Sequence, residues 1–298
     1  MDLDIVRYEK DGQGVAVIEL HRPEKANAQS VPMTYQLNEA FDRAVRDDDV
    51  RAIVLAAAGR HFSAGHDLTD PARYTETDLC VGTWAGWAAP GAEGRLAREH
   101  EIYFDMCRRW RNLSKPTIAA VQGKCIGGGL MLAWVCDLII AGEGAVFQDP
   151  VVNFGINGIE WLAHPWELGP RKAKELLMTA DSWTAREAEQ LGMVNRVVPD
   201  DQIRDVAVEL ARKIATKPAL AVKLVKSAIN ATVDAQGHEV ATQNSFGLHQ
   251  LAHAHNEVLF GSPMDPSGLP ANIRTSDPLW NRPGSSDGPE AAPATTSA

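Results

Sequence analysis

Cysteine is scarce: four in 298 residues, at positions 80, 107, 125 and 136, with no CxxC pair. So thin and irregular a set excludes a disulfide framework and a cysteine-rich zinc module. It reads as buried thiols in a reduced, cytoplasmic protein. Excess positive charge is also lacking. Lys and Arg number 29 against 39 Asp and Glu, a net charge of −10, which argues against a nucleic-acid partner. The longest apolar run, residues 116–142, is broken by Gln122, Lys124, Asp137 and three glycines, so it does not read as a membrane span. The opening MDLDIVRYEKDG has none of the apolar stretch of a secretory signal. Phosphate-loop signatures are missing too. Gly123-Lys124 is followed by Cys125, with no glycine five positions earlier, and Gly127-Gly128-Gly129 does not fit G-x-G-x-x-G.

What is present is an α/β pattern in the first two thirds and helices at the end. Residues 4–10 and 14–20 read as strands around an Asp11-Gly12 turn, 34–46 as an amphipathic helix, and 52–57 (AIVLAA) as a strand buried on both faces. Residues 69–94 form a long connection, of the kind that often serves as a lid, and we expect it to close on ligand. A helix over 95–111 and strands over 117–121 and 137–141 follow. Thr184-x-x-Glu187 is a capping box. Helical periodicity returns over 201–215, 219–233 and 238–260. We divide the chain into a core over 1–200, a helical association segment over 201–275 and a low-complexity tail over 276–298.

The segment CIGGGLML raises its own question, because each glycine inside a helix costs about 1 kcal/mol relative to alanine. One reading places the bare backbone at a helix N-terminus, where unpaired N–H groups can receive an anionic oxygen. The other reading is close packing of helix on sheet. The segment alone favours neither.

A second stretch, HFSAGHDL at 61–68, follows a buried strand and could supply another free N–H. Together with HRPEKANA (21–28), KPTIAAVQGKCIGGG (115–129), CDLIIA (136–141) and AREAEQLGMVNRVV (185–198), it resembles the crotonase superfamily of enoyl-CoA hydratases and isomerases over about residues 5–235. The resemblance implies a spiral of ββα units, a C-terminal helical trimerisation segment, and a homotrimer or hexamer. It implies an acyl-CoA substrate of the kind met in fatty acid metabolism, with CoA as part of that substrate and no metal or other cofactor. By position, the oxyanion donors are the backbone N–H groups of His66 and Gly128. Ala64, Gly65, Asp67 and Leu68 would line the CoA site with Gly127, and Lys25 and Ala26 would lie near its phosphates or pantetheine.

The chain also departs from the pattern. Hydratases of the family carry two glutamates that position water and shuttle its proton; here Met131 and Val151 stand in those places, at the acyl pocket. Relatives with dehalogenase, dienoyl-isomerase or ring-forming activity carry an acidic residue shortly after the glycine matched by Gly155. That points to Glu160 as general base, with His164 one helical turn on to tune it. Asn157-x-x-Glu160 can equally be a capping box, and Asp149 either faces the acyl pocket or caps a loop. Trp84, Trp87, Trp161 and Trp166 suit a pocket or a core. His249 and His253 sit at i and i+4 without the glutamate of H-E-x-x-H, and read as a solvated helix face. Two functions stand: a lyase or isomerase that stabilises an enolate of an acyl-CoA thioester, or an acyl-CoA-binding protein without turnover.

Overall fold

The computed structural model describes residues 3–70 and 84–269. Strands β1 (Val6–Lys10) and β2 (Val15–Leu20) pair antiparallel. Their turn is fixed by the Asp11 carboxylate, which accepts from the Gln13 and Val15 amides at 2.7 and 3.0 Å. Helix α1 (Val31–Arg46) starts at Ser30, whose side chain accepts from the Met33 N–H. After β3 (Ala52–Ala57), α2 (Ala92–Glu99), a π-helical segment (His100–Asp105) and α3 (Met106–Arg111) form one continuous rod. π-turns inside α-helices recur at functional sites.

The chain continues through β4 (Thr117–Val121), β5 (Lys124–Ile126), α4 (Gly128–Trp134), β6 (Leu138–Gly142) and β7 (Val146–Gln148). Then come α5 (His164–Leu168), α6 (Pro170–Thr179), β8 (Ser182–Thr184), α7 (Ala185–Leu191) and β9 (Arg196–Val198). The Thr184–Glu187 capping box is formed as read. Helices α8 (Ile203–Ala215), α9 (Ala219–Ala235) and α10 (His238–Phe260) follow, and a short loop runs on to residue 269.

A six-stranded sheet runs β1-β2-β3-β4-β6-β9, parallel except for β1, and a smaller sheet runs β5-β7-β8. Strand alternation explains how β3 is buried twice. Ile53 and Leu55 face the main core, shared with Phe41, Phe62 and Trp110; Ala52, Val54 and Ala56 face Ile203, Ala207 and Ala211 of α8. The segment 201–275 therefore opens with a helix that belongs to the core. Residues 276–298, Cys80 and part of the 69–94 connection lie outside the described residues.

Helix α10 is inverted relative to an ordinary surface helix. His238, Thr242, Ser245, His249, Gln250, His253 and Asn256 are buried, while Val240, Leu248, Leu251, Val258 and Leu259 are exposed. On α9, Leu220, Leu224, Val225 and Ile229 are also exposed. Among the described residues, no helix is long and apolar enough to cross a membrane.

Candidate active site

The three glycines answer to three different constraints. Gly127 has φ +51°, a conformation side chains rarely adopt, and its N–H donates to the Gln148 carbonyl at 2.9 Å. At Gly128 a Cβ would lie 2.5 Å from both His66 Cε1 and Gln29 Oε1; at Gly129 it would lie 2.7 Å from the Ser63 carbonyl oxygen. Close packing thus accounts for two of them. Gly128 is also the first residue of α4, so its N–H has no helical acceptor. Neither the Gly128 nor the His66 N–H has an acceptor among the described residues, whereas the flanking Gly65 carbonyl and Asp67 N–H both bond Gln29. The HRPEKANA turn locks the adjoining wall. Asn27 Nδ2 donates to the Ala58 and His61 carbonyls at 2.8 Å each, and Arg22 bonds Asp67 at 3.0 Å.

Both amides open on a cavity of about 440 Å³. Lys25, Ala64, Gly65, Asp67, Leu68, Gly127 and Val151 line it, and Phe154, Ile156, Ile159 and Met264 make an apolar wall. Ala26 stands one layer behind, its carbonyl accepting from the Ala64 N–H at 2.9 Å. Met131 is not in the wall. It is buried in the main core, because every residue of α4 from Gly128 to Trp134 is enclosed by the packed interior. The tryptophans do not line the cavity either: Trp87 and Trp161 are core and Trp84 is exposed.

Glu160 does line it, at 3 % exposure, but not from a helix. The capping box does not form. Asn157 Nδ2 is turned to Ser245, the Ile159 N–H donates to Asp149 Oδ2 at 3.1 Å, and the next helix starts only at His164. Without a helix from 158, His164 is not one turn from Glu160. It is fully buried, 3.2 Å from Asp149 and edge-on to Trp134, so the tuning role expected of it falls away. Asp149 shapes the loop and is not among the cavity-lining residues.

The imidazoles beside Glu160 come from elsewhere. His66 Nε2 lies 2.9 Å from Glu160 Oε2, and its ring stacks on Tyr103 of the π segment at 3.8 Å between centroids. His249 Nε2 lies 3.7 Å from Glu160 Oε1. Burial alone would push the Glu160 carboxyl up; His66 and His249 outweigh it and hold the group well below the usual carboxylate range. The His66 side chain is therefore a member of the site, beyond the backbone role assigned to it from sequence.

His249 and His253 are not solvated. Each is 2 % exposed, and both line the cavity. Their Nδ1 atoms lie 2.7 Å from the Gly158 carbonyl and 2.6 Å from the Pro263 carbonyl, and their Nε2 atoms face each other at 2.9 Å. Burial pushes the His253 imidazole down to about 4. Glu99, at the end of α2, adds a carboxylate oxygen 3.7 Å from both Nε2 atoms. Sequence reasoning missed Glu99; the i, i+4 histidines opposite an apolar helix side were the available signal. Cys107, Cys125 and Cys136 are buried, and burial pushes their thiols up, Cys136 to about 12.

The family described as enoyl-CoA hydratase/isomerase matches residues 10–262. The chain is 45% identical over 265 residues to the Mycobacterium tuberculosis protein named "Putative enoyl-CoA hydratase EchA13", covering 85% of this chain and 82% of that one. It is 34% identical over 231 residues to the 1,2-epoxyphenylacetyl-CoA isomerase of Escherichia coli K12, covering 75% and 83%. A crystal structure of a "probable enoyl-CoA hydratase" from Mycobacterium thermoresistibile superposes with a TM-score of 0.80 at 45% identity, covering 87% of this chain and 99% of that one. The chain belongs to the enoyl-CoA hydratase/isomerase family.

Proposed function

We propose that the protein is an isomerase-type enzyme of acyl-CoA thioesters that works by proton transfer through an enolate. The observation that carries this reading is the Glu160 carboxylate, held by His66 in the wall of the cavity onto which the His66 and Gly128 amides open. The thioester oxygen accepts from those two N–H groups, which stabilise the negative charge that develops there. Glu160 takes a proton from the α or γ carbon of an enoyl chain, the electron pair moves onto the thioester oxygen, and the same carboxyl returns the proton at the other carbon. His66 holds the carboxylate as it changes charge. Lys25, exposed at the mouth, suits the CoA phosphates, and Leu68, Val151, Phe154 and Ile156 suit the acyl chain. CoA enters as part of the substrate. Met131 in the core and Val151 in the wall leave no carboxylate at the two places where hydratases of the family hold water. The exposed apolar residues of α9 and α10 support self-association to a homotrimer or hexamer.

Incubation with 2-enoyl- and 3-enoyl-CoA in deuterated water, followed by mass spectrometry, tests the reading. The wild type should gain deuterium without gaining water. Glu160→Gln should lose at least about 100-fold of that exchange while still binding the thioester. A gain of water would replace isomerisation with hydration. Thioester binding with no exchange would favour the binding-protein reading, for which the two missing glutamates speak.

A further inference from the structure

The Gly158 and Pro263 carbonyls can only accept, so both His249 and His253 carry their proton on Nδ1. With one proton per ring, their Nε2 atoms present two lone pairs to each other at 2.9 Å; a second proton on one ring would bridge them as an imidazolium. Glu99 Oε2 lies 3.7 Å from both, and Glu160 Oε1 lies 3.7 Å from His249 Nε2. Two imidazole nitrogens and two carboxylates converge on one buried point, a cluster that a proton or a metal ion among them would hold together. Gln250 donates to Glu99 Oε2 at 2.6 Å, which orients the carboxylate.

We propose that Glu99, His249 and His253 form a binding site for a divalent first-row transition-metal ion such as Zn²⁺, in the wall of the cavity beside Glu160. Their ligand atoms all lie within 4.8 Å of one another. Ligands at about 2.1 Å from an ion, at angles between about 90° and 109°, stand about 2.9–3.4 Å apart. The histidine pair already meets that spacing, and Glu99 needs a shift of a few tenths of an ångström. The outer contacts are also those of a metal site, since ligating histidines donate their other N–H to a carbonyl or carboxylate. Two imidazoles and one carboxylate select zinc-like metals over calcium or magnesium. The ion has a way in, because His249 and His253 line the open cavity. The site stands on its own residues and does not depend on the reaction proposed above.

The test is titration of the tag-free, chelator-treated full-length protein with Zn²⁺ by calorimetry, and with Co²⁺ by visible absorption. The wild type should bind one ion per chain and give the d–d bands of nitrogen and oxygen coordination. His253→Gln, whose amide can still donate to Pro263, and Glu99→Gln, which keeps a partner for Gln250, should each weaken Zn²⁺ binding at least about tenfold with an unchanged melting temperature. His255→Gln, on the exposed side of α10, should bind as the wild type does. Absence of saturable binding by folded wild type would overturn the proposal. So would binding kept by the His253 and Glu99 variants and lost in the His255 variant. A nitrogen-15 imidazole spectrum showing a proton shared between the two Nε2 atoms in the zinc-treated protein would overturn it as well.

Discussion

Gly128→Ala tests the packing of the site most directly. The added Cβ would lie 2.5 Å from His66 Cε1 and 2.7 Å from Nδ1, where ordinary contact begins at 3.4 Å. Gln29 Oε1, also at 2.5 Å, is the far end of a flexible chain and can swing away. The His66 ring cannot do so cheaply, because Tyr103 stacks on it at 3.8 Å. A retreat of about 0.9 Å would disturb the 2.9 Å contact between His66 Nε2 and Glu160 Oε2. Overpacking of this kind costs about 1–3 kcal/mol, and a hydrogen bond to a charged group about as much. Urea unfolding should therefore show a loss of about 2–6 kcal/mol. Turnover in the deuterium assay should fall about 100- to 1,000-fold, since a donor N–H and the base shift together. His66→Ala makes room for the methyl group, so the double variant should be more stable than the two single losses added together predict, by about 1–2 kcal/mol. The reasoning fails if Gly128→Ala unfolds with the wild type and keeps its turnover within about threefold. It also fails if the double variant is strictly additive.

Two further outcomes follow from other parts of the molecule. Glu167 on α5 is partly buried, and burial raises its carboxyl to about 7 from the 4.5 of a free glutamate. A raised folded value means stability that is present below pH 4.5 and lost as pH rises through about 7. Glu167→Gln should thus be nearly neutral at pH 4.5 and stabilising by about 1–3 kcal/mol at pH 8; equal effects in denaturant melts at both pH values would contradict this. Leu224, 58% exposed on α9, belongs to the apolar side we assign to another copy of the chain. Leu224→Glu should lower the mass found by light scattering toward one chain, and an unchanged mass would exclude that side from the interface.

Much of the fold was legible because its signals are local. AIVLAA reads as doubly buried from its own six residues, and the three terminal helices follow from periodicity within each. Glu160 was legible through its motif. Its partners were not, because the error lay in assuming a helix from 158. Asp149 takes the Ile159 N–H and Ser245 takes Asn157, both contacts made from outside the segment, and together they hold it in a loop. The true partners, His66 and His249, lie far away in sequence and meet Glu160 only when α10 crosses the cavity. The same crossing explains why the His249–His253 pair reads from sequence as a wet surface. A polar helix side facing inward cannot be told from one facing water until the element it packs against is known.

Helix α10 is a shared wall. One side holds His249 and His253 against the cavity; the opposite side, about 10 Å away across the helix, is bare Leu, Val and Phe. Such a rod transmits load as a unit, because both sides hang on one hydrogen-bonded backbone. Whatever seats against its outer side fixes the position of the cavity's inner lining. In the self-association we propose, dilution or an interface substitution would therefore register at Glu160 without touching a single residue of the pocket.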